Sequence, residues 1–351
     1  MTNIWRVCLR IASASLLLCT LLTTGTIVLA APYGQNDTKL LPRSVYGATP
    51  PISMMLYSLA PDLLAGWNWP LGYRGGMNLG TPSRYLLPNT HHLPVLGGID
   101  PGDRPDYCKI LLANPSIVVL PSYQKMAPGF ADRLKKFGAH VITMPKGSES
   151  LSMLPASYLF LGNQLGVSAR SDILSQYTTN VLNGLQSLST IVKHKKTVFY
   201  ALGPRGYHTE ACERLNQLIA YAGGENVAMA HGVLFPGFHE ISMGAILSWD
   251  PDVIIVQSRE TYQHILQSPS WSGLRAVKDR QVFLVPQAFG LPPTILNLLG
   301  AQWLAHKLYP NEYKISMVEQ TQRFFDLFFH VRINRYAAHR ILGDELSPNW
   351  K

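Results

Sequence analysis

Apolar residues recur along the chain in short runs bounded by turn residues, with longer amphipathic stretches between them. Short bounded runs predict buried parallel strands, and the amphipathic stretches predict helices. The predicted strands are Ile52–Leu56, Ser116–Pro121, Ala139–Pro145, Thr197–Leu202, Val253–Gln257 and Gln281–Pro286. The predicted helices include Asp103–Ala113, Met126–Phe137, Glu210–Tyr221 and Thr294–Leu308. This alternation predicts an α/β protein with parallel sheets.

Two segments of the sequence echo two others in the same order. KILLANPSIVVLPS (Lys109–Ser122) matches AILSWDPDVIIVQS (Ala245–Ser258) in pattern, and FGAHVITMP (Phe137–Pro145) more weakly matches DRQVFLVP (Asp279–Pro286). Each pair places a helix end before a buried strand. Two ordered matches favour a chain built from two related, Rossmann-like lobes.

The stretch from Leu151 to Lys193 separates the two halves and has apolar residues at helical spacing. It predicts one long backbone helix that joins the lobes and limits them to small opening motions. The expected organisation is a signal peptide over 1–30, a mobile lead-in over 31–49, an N-terminal lobe over 50–150, a linking helix region over 151–195 and a C-terminal lobe over 196–351.

The amino terminus has the layout of a secretory signal peptide. Arg6 and Arg10 precede an uncharged apolar stretch, Ile11–Ala30, that ends in small residues. Cleavage before Ala31 predicts an exported, periplasmic protein that is soluble once the leader is removed. An uncleaved membrane anchor is the alternative.

Charge and cysteine content narrow the choice of partners. The formal net charge of +9 falls by two when the leader is removed, and the remaining Lys and Arg are scattered, which argues against nucleic-acid binding. A mild positive balance suits an anionic ligand, or serves solubility alone. Cys108 and Cys212 are the two cysteines beyond the leader, so the sequence predicts a packed core and leaves their oxidation state open.

Several segments in order resemble the periplasmic binding proteins for iron siderophores, haem and vitamin B12. They are ISMMLYSLAPDLLAGW (Ile52–Trp67), LPVLGG (Leu93–Gly98), NPSIVVLPS (Asn114–Ser122), YAGGENVA (Tyr221–Ala228), WDPDVIIVQS (Trp249–Ser258), SPSWSGLRAVKDRQVFLVP (Ser268–Pro286) and LGAQWLAHKLYP (Leu299–Pro310). The resemblance runs from about Ile52 to Phe329.

This resemblance implies a monomeric solute-binding protein of an ABC importer, not an enzyme, without a cofactor of its own. It implies that a small metal chelate (a ferric siderophore, haem or cobalamin-like) binds between the lobes and is delivered to a permease in the cytoplasmic membrane. A scavenging protein without a permease, and a chelatase-like enzyme, remain alternatives.

Docking to the permease normally uses one glutamate on each lobe of such proteins. The corresponding positions here hold Cys108 and Gly244. Asp106 and Glu240 lie within a helical turn of them and are the expected substitutes.

The loops at the carboxyl ends of parallel strands are the expected ligand-binding elements, because two such lobes would face each other across a shared cleft. The expected ligand-binding residues are Tyr57 and Tyr123 from the first lobe and Arg205, Tyr207, His208, Phe238, His239, Arg259 and Gln287 from the second. Tyr123 and Arg259 follow the echoed serines and should occupy equivalent positions on opposite walls. Arginines suit the carboxylates of a chelate, and a tyrosine suits ferric iron.

Each of these assignments has a structural alternative. His208 and His239 are either metal ligands or structural residues, and their 31-position separation without a third ligand favours the second interpretation. Phe235, Phe238 and Phe289 either stack on a flat ligand or fill the second lobe's core. The run Phe324–Phe329 is expected to form a helix face packed on the second lobe.

Overall fold

A three-stranded parallel sheet forms the centre of the first lobe. The computed structural model describes residues 44–71, 85–99, 105–122, 129–148, 150–286 and 295–343. The strands are β1 (Val45–Gly47), β2 (Ile117–Leu120) and β3 (His140–Thr143), in the spatial order β1-β2-β3. The helices are α1 (Pro50–Leu59), α2 (Tyr107–Ala113) and α3 (Phe130–Lys136), with short 3-10 turns at Pro61–Leu63 and Pro88–Thr90.

The segment between the lobes contains two α-helices instead of the single one expected. A 3-10 turn, Leu151–Met153, leads into α4 (Leu154–Leu165), and α5 (Ser168–Ile191) follows. Gly166 separates them, because its left-handed backbone (φ 73°) ends α4. The 24 residues of α5 span about 36 Å and form the long helix that joins the lobes.

The second lobe is built on a four-stranded parallel sheet. Its strands are β4 (Thr197–Ala201), β6 (Glu225–Asn226), β8 (Val253–Val256) and β9 (Val282–Leu284), in the order β6-β4-β8-β9, while β5 (His208–Ala211) and β7 (Gly237–Glu240) pair as an antiparallel ribbon. The helices are α6 (Glu213–Tyr221), α7 (Val227–Ala230), α8 (Met243–Trp249), α9 (Arg259–Gln267), α10 (Arg275–Lys278), α11 (Leu296–Leu308), α12 (Met317–Phe328) and α13 (Arg335–Leu342).

The internal echo is confirmed as a repeated local structure. Helix α2 ends at Asn114 (φ 45°) and α8 ends at Asp250 (φ 39°), both in the left-handed conformation, and each is followed by a proline and a buried strand. The weaker echo behaves in the same way, since Gly138 (φ 89°) and Arg280 (φ 55°) precede β3 and β9. Asn and Asp tolerate this conformation better than other side chains do, which explains their place before the prolines.

The predicted strand Ile52–Leu56 is wrong, because these residues lie within α1. Pro50 and Pro51 occupy the first helical positions, where the missing N–H costs nothing, and α1 is apolar and buried on nearly all sides. A short apolar run of this kind cannot be told from a buried strand by its period. The first strand lies upstream at Val45–Gly47, so these residues belong to the first lobe and not to a mobile lead-in.

Helix α12 packs against both lobes and not against the second alone. It contacts α11 of the second lobe and α1 of the first. Phe328 packs against Tyr158 of α4 and Tyr177 of α5, and Phe325 packs edge-on against Tyr85 of the first lobe. One continuous hydrophobic core consequently runs from β2 and β3 through the connecting helices to β4 and β8.

None of the helices in the described ranges combines the length and the apolar character needed to cross a bilayer.

Candidate functional site

Arg205 and Arg259 lie at the same edge of the second sheet. The turn that follows β4 is tied to the start of α9, since Thr261 Oγ1 donates to the Gly203 carbonyl (2.7 Å). Ser258 caps α9 by accepting from the Thr261 N–H (3.0 Å), and Arg259 is the first residue of that helix. Strands β4 and β8 are neighbours, so both exposed arginines stand at the carboxyl ends of adjacent strands.

Tyr207 supports Arg205. The Arg205 guanidinium carbon lies 5.2 Å from the centre of the Tyr207 ring, and that ring stacks on buried Trp271 at 5.8 Å with an interplanar angle of 11°. The half-buried ring of Tyr207, which is expected to meet the ligand, thus packs against both Trp271 and Arg205. Its role in the structure is to orient Arg205 by a cation–π contact.

The β5–β7 ribbon carries His208, Phe238 and His239. His208 pairs with Glu240 and Phe238 with Glu210 across the ribbon. Phe238 and Phe235 are 73% and 79% exposed, so neither fills the second lobe's core. His239 Nε2 lies 2.7 Å from the Phe235 carbonyl, and within the described ranges no three His, Cys, Asp or Glu side chains gather as a metal site. The ribbon thus places His208 opposite Glu240 and His239 against the backbone of Phe235.

Tyr57 does not line the cleft. It is completely buried, its hydroxyl donates to the Phe329 carbonyl (3.0 Å), and the Leu87 N–H donates to that hydroxyl (2.9 Å). Burial raises the pKa of Tyr57 to about 12. The expectation that Tyr57 contacts a ligand is corrected: the residue joins the first lobe to the end of α12.

Arg170 and His330 complete this connection, which we call the interlobe joint (Tyr57, Ser58, Tyr158, Arg170 and His330). Arg170 donates to the Leu327 carbonyl and, at 3.3 Å, to the Ser58 carbonyl. His330 Nε2 donates to the Tyr57 carbonyl (3.1 Å), and Ser58 Oγ lies 2.9 Å from the Tyr158 hydroxyl. Burial is the main cause that lowers the pKa of His330. The joint holds the lobes together at the side where the connecting helices lie.

A cavity opens between the lobes with about 450 Å³ of empty space, partly open to solvent. We call its lining the cleft floor; it combines residues from four segments of the chain. They are Pro51 and Met55 of α1; Ser148, Ser150, Leu151 and Leu154 after β3; Arg214 and Gln217 of α6; and Ile295 and Asn297 at the start of α11. Both lobes contribute, as a shared ligand site requires.

The cleft floor is lined by apolar and polar residues in equal number and has one cationic side chain among its described lining residues, Arg214. Helices α6 and α11 begin beside it, and helix N-termini favour negative charge, whereas α1 begins with Pro50 and Pro51, which have no N–H to donate. Asn297 is 4% exposed, and among the described residues its Oδ1 has no hydrogen-bond partner. Gln217 Nε2 donates to Glu213 (3.2 Å), which brings one carboxylate close to the site.

Cys212 caps the first turn of α6, next to Arg214. Its sulfur accepts from the Leu215 N–H (3.5 Å), and burial raises the pKa of its thiol. The thiol is not in a disulfide. Cys212 therefore positions the helix start that presents Arg214.

The sequence did not identify the cleft-floor residues. The predicted ligand contacts lie after predicted strands, whereas Arg214, Gln217 and Asn297 lie within the first five residues of helices. The signal that could have found them is the position of an Arg and an Asn at helix starts on the cleft side. Two expected ligand contacts, Tyr123 and Gln287, lie outside the described residues, as does Phe289.

The expected docking residues both lie on exposed helix or strand ends. Asp106 caps α2 by accepting from the Lys109 N–H (3.1 Å), and its carboxylate lies 3.4 Å from Lys109 Nζ. Glu240 is exposed at the end of β7. Part of the Asp106 charge is thus engaged by its own helix.

Two parallel-sheet lobes that share a cleft define a two-lobed binding protein. A family model described as periplasmic binding protein matches residues 96–288. The chain belongs to the periplasmic binding protein family.

Two curated relatives match part of the chain. It is 33% identical over 118 residues to the molybdate-binding protein MolA of Haemophilus influenzae, covering 32% of this chain and 33% of that protein. It is 24% identical over 213 residues to the uncharacterized ABC transporter substrate-binding lipoprotein YvrC of Bacillus subtilis, covering 59% of this chain and 66% of that protein. The chain therefore spans a third of one relative and just under two thirds of the other.

Solved structures match over most of the chain. An ABC transporter solute binding protein from Sulfurospirillum deleyianum has 27% identity and a TM-score of 0.74, covering 86% of this chain and 94% of that one. The molybdate-bound MolA structure of Haemophilus influenzae has 17% identity and a TM-score of 0.63, covering 84% and 95%. The second likeness supports the two-lobed fold alone.

Proposed function

We propose that this chain is the exported solute-binding protein of an ABC importer and that it captures a small anionic solute at the cleft floor. The observation that carries this proposal is the convergence of Arg214 and the starts of α6 and α11 on one cavity lined by both lobes. Family membership and the likeness to an ABC transporter solute binding protein support it.

A small oxyanion of the molybdate kind is the ligand class that we favour. An arginine and helix N-termini bind the oxygens of such an ion through charge-assisted hydrogen bonds. One relative, which is 33% identical to this chain over about a third of its length, is named as a molybdate-binding protein. That name supports the same class of ligand.

A negatively charged metal chelate is the second candidate. Phe235 and Phe238 are exposed on the ribbon, and flat apolar ligands gain from aromatic contacts. In this alternative the chelate carries its own metal, and Arg205 and Arg259 hold its negative groups.

Calorimetric titration with molybdate and with a ferric catecholate separates the two ligands. If the oxyanion binds at the cleft floor, Arg214→Gln weakens molybdate binding by at least tenfold, because a charge-assisted contact contributes about 1.5–3 kcal/mol. The control variant Arg335→Gln removes one positive charge from an exposed position on α13 and should leave molybdate binding unchanged. Chelate binding that is lost in Arg259→Gln and retained in Arg214→Gln supports the second candidate, and binding of neither ligand refutes both.

Delivery to a permease is proposed to use Asp106 and Glu240. The exposed positions of both carboxylates support this assignment. Reversing both charges should abolish uptake of the solute by cells while the affinity of the purified protein for it stays the same. Uptake at the normal rate would contradict the assignment.

A further inference from the structure

A second open groove lies at the opposite end of the second lobe from the cleft floor. We call it the basic groove, and it encloses about 570 Å³ of empty space that includes open solvent. Its lining residues are Lys196, Gln281, Phe283, His306, Lys307 and Pro310. Lys196 and Gln281 directly precede β4 and β9, at the amino ends of these strands. Helix α11 starts at the cleft floor and ends at the groove, so its 13 residues separate the two sites by about 20 Å.

Both lysines of the groove rest on aromatic rings. Lys307 Nζ lies 5.6 Å from the centre of the Phe283 ring, and Lys196 Nζ lies 5.7 Å from the centre of the Tyr309 ring. A cation–π contact holds an ammonium group without using up its N–H donors. Among the described ion pairs, neither lysine has a carboxylate partner.

The platform beneath Lys196 is rigid. Tyr309 is buried, its hydroxyl donates to the Gly223 carbonyl (2.9 Å), and the Lys196 N–H donates to that hydroxyl (2.8 Å). His306 Nδ1 lies 3.3 Å from the Tyr313 carbonyl, which fixes the imidazole at the groove. The donors around the groove therefore start from fixed positions and lose little freedom when an anion binds.

The surroundings add positive charge. Lys193, His194 and Lys195 directly precede Lys196 and are exposed. The neighbouring carboxylate of Asp252 is already engaged by Arg275 (3.0 Å) and by the Thr197 N–H (2.8 Å). Glu225 on β6, Glu312 near Tyr309 and Asp279 two positions before Gln281 carry opposing charge.

We propose that the basic groove is an anion-binding site that recognises a phosphate group, presented either by a soluble phosphate ester or by the headgroup of an anionic phospholipid. The two ammonium groups and the second N–H of the Gln281 amide, whose first donates to the Asp279 carbonyl, offer donors to the several oxygens of a phosphate. The groove is open, so the rest of the phosphate-bearing molecule can remain outside it. This site is separate from the cleft and does not depend on the solute captured there.

The test uses the full mature chain and two double variants with the same loss of charge. Lys196→Gln/Lys307→Gln removes the groove's ammonium groups, and Lys135→Gln/Lys136→Gln removes two exposed lysines at the end of α3 in the first lobe. Binding is measured to glycerol 3-phosphate by equilibrium dialysis and to phosphatidylglycerol vesicles by flotation, with phosphatidylcholine vesicles as the neutral reference. Thermal unfolding checks that each variant is folded, and the single variant Lys307→Gln replaces the double one if it is not.

We expect the groove variant to bind at least fivefold more weakly than the wild type, and the α3 variant to bind within twofold of it. Loss of ester binding alone identifies a soluble ester, and loss of binding to anionic vesicles identifies the lipid headgroup. Arg214→Gln must leave this binding intact, which separates the groove from the cleft floor. The proposal is overturned if neither probe binds, or if the two double variants lose binding equally.

Discussion

The interlobe joint gives a prediction that can be worked out from individual atoms. Tyr57→Phe removes one hydroxyl from a fully buried ring and leaves the ring's packing against Trp67 and Phe329 in place. The Phe329 carbonyl and the Leu87 N–H each lose a hydrogen-bond partner at 3.0 and 2.9 Å. An unsatisfied buried polar group costs about 1–3 kcal/mol, so we expect the free energy of unfolding to fall by about 2–4 kcal/mol.

Urea unfolding measured by tryptophan fluorescence and by circular dichroism tests this expectation. The midpoint should fall while the dependence on urea concentration stays the same, because the surface exposed on unfolding is unchanged. Tyr262→Phe, on half-buried α9, is the matched control and should change the free energy by less than about 0.5 kcal/mol. Equal stability of Tyr57→Phe and the wild type would refute the role assigned to the joint.

Two further predictions concern the same region. A β-carbon at Gly162 would lie 2.0 Å from Ser171 Oγ and 2.2 Å from its β-carbon, so Gly162→Ala should destabilise the protein by about 1–3 kcal/mol. Adding Ser171→Gly should recover part of this loss in a double-mutant cycle; additive losses would contradict the clash. Because the pKa of His330 is lowered in the folded protein, the unfolded chain takes up this proton at a higher pH than the folded chain does. The free energy of unfolding should therefore fall as the pH drops through about 6.5. His330→Asn, which tolerates the left-handed backbone (φ 59°), should flatten this dependence in urea unfolding from pH 8 to 5, whereas an unchanged slope would assign it to other groups.

The sequence predicted most of the sheet strands because their signals are local. Strands β2, β3, β4, β8 and β9 are short runs rich in apolar residues with clear turn residues on either side, and β2, β4 and β8 are buried along nearly their whole length. The two-residue strand β6 and the polar ribbon strands β5 and β7 lack an apolar run, so nothing in their pattern marks them.

The candidate site was predicted less completely than the fold. Arg205 and Arg259 were correctly placed at strand ends, because that position depends on the order of strand and loop alone. Tyr57 also follows a predicted strand, but its burial depends on α12. Phe329 at the end of that helix, which accepts the hydrogen bond of the Tyr57 hydroxyl, lies 272 positions further along the chain. The cleft floor depends in the same way on contacts between α1, α6 and α11 that no local pattern records.

The continuous core has a consequence for how the molecule loses its structure on heating. Because β2 and β3 share one hydrophobic cluster with β4 and β8, neither lobe can melt without exposing apolar side chains of the other. Calorimetry should therefore show a single heat-absorption peak whose van't Hoff and calorimetric enthalpies agree. A solute bound at the cleft floor would then raise the melting temperature of the whole chain and not of one lobe.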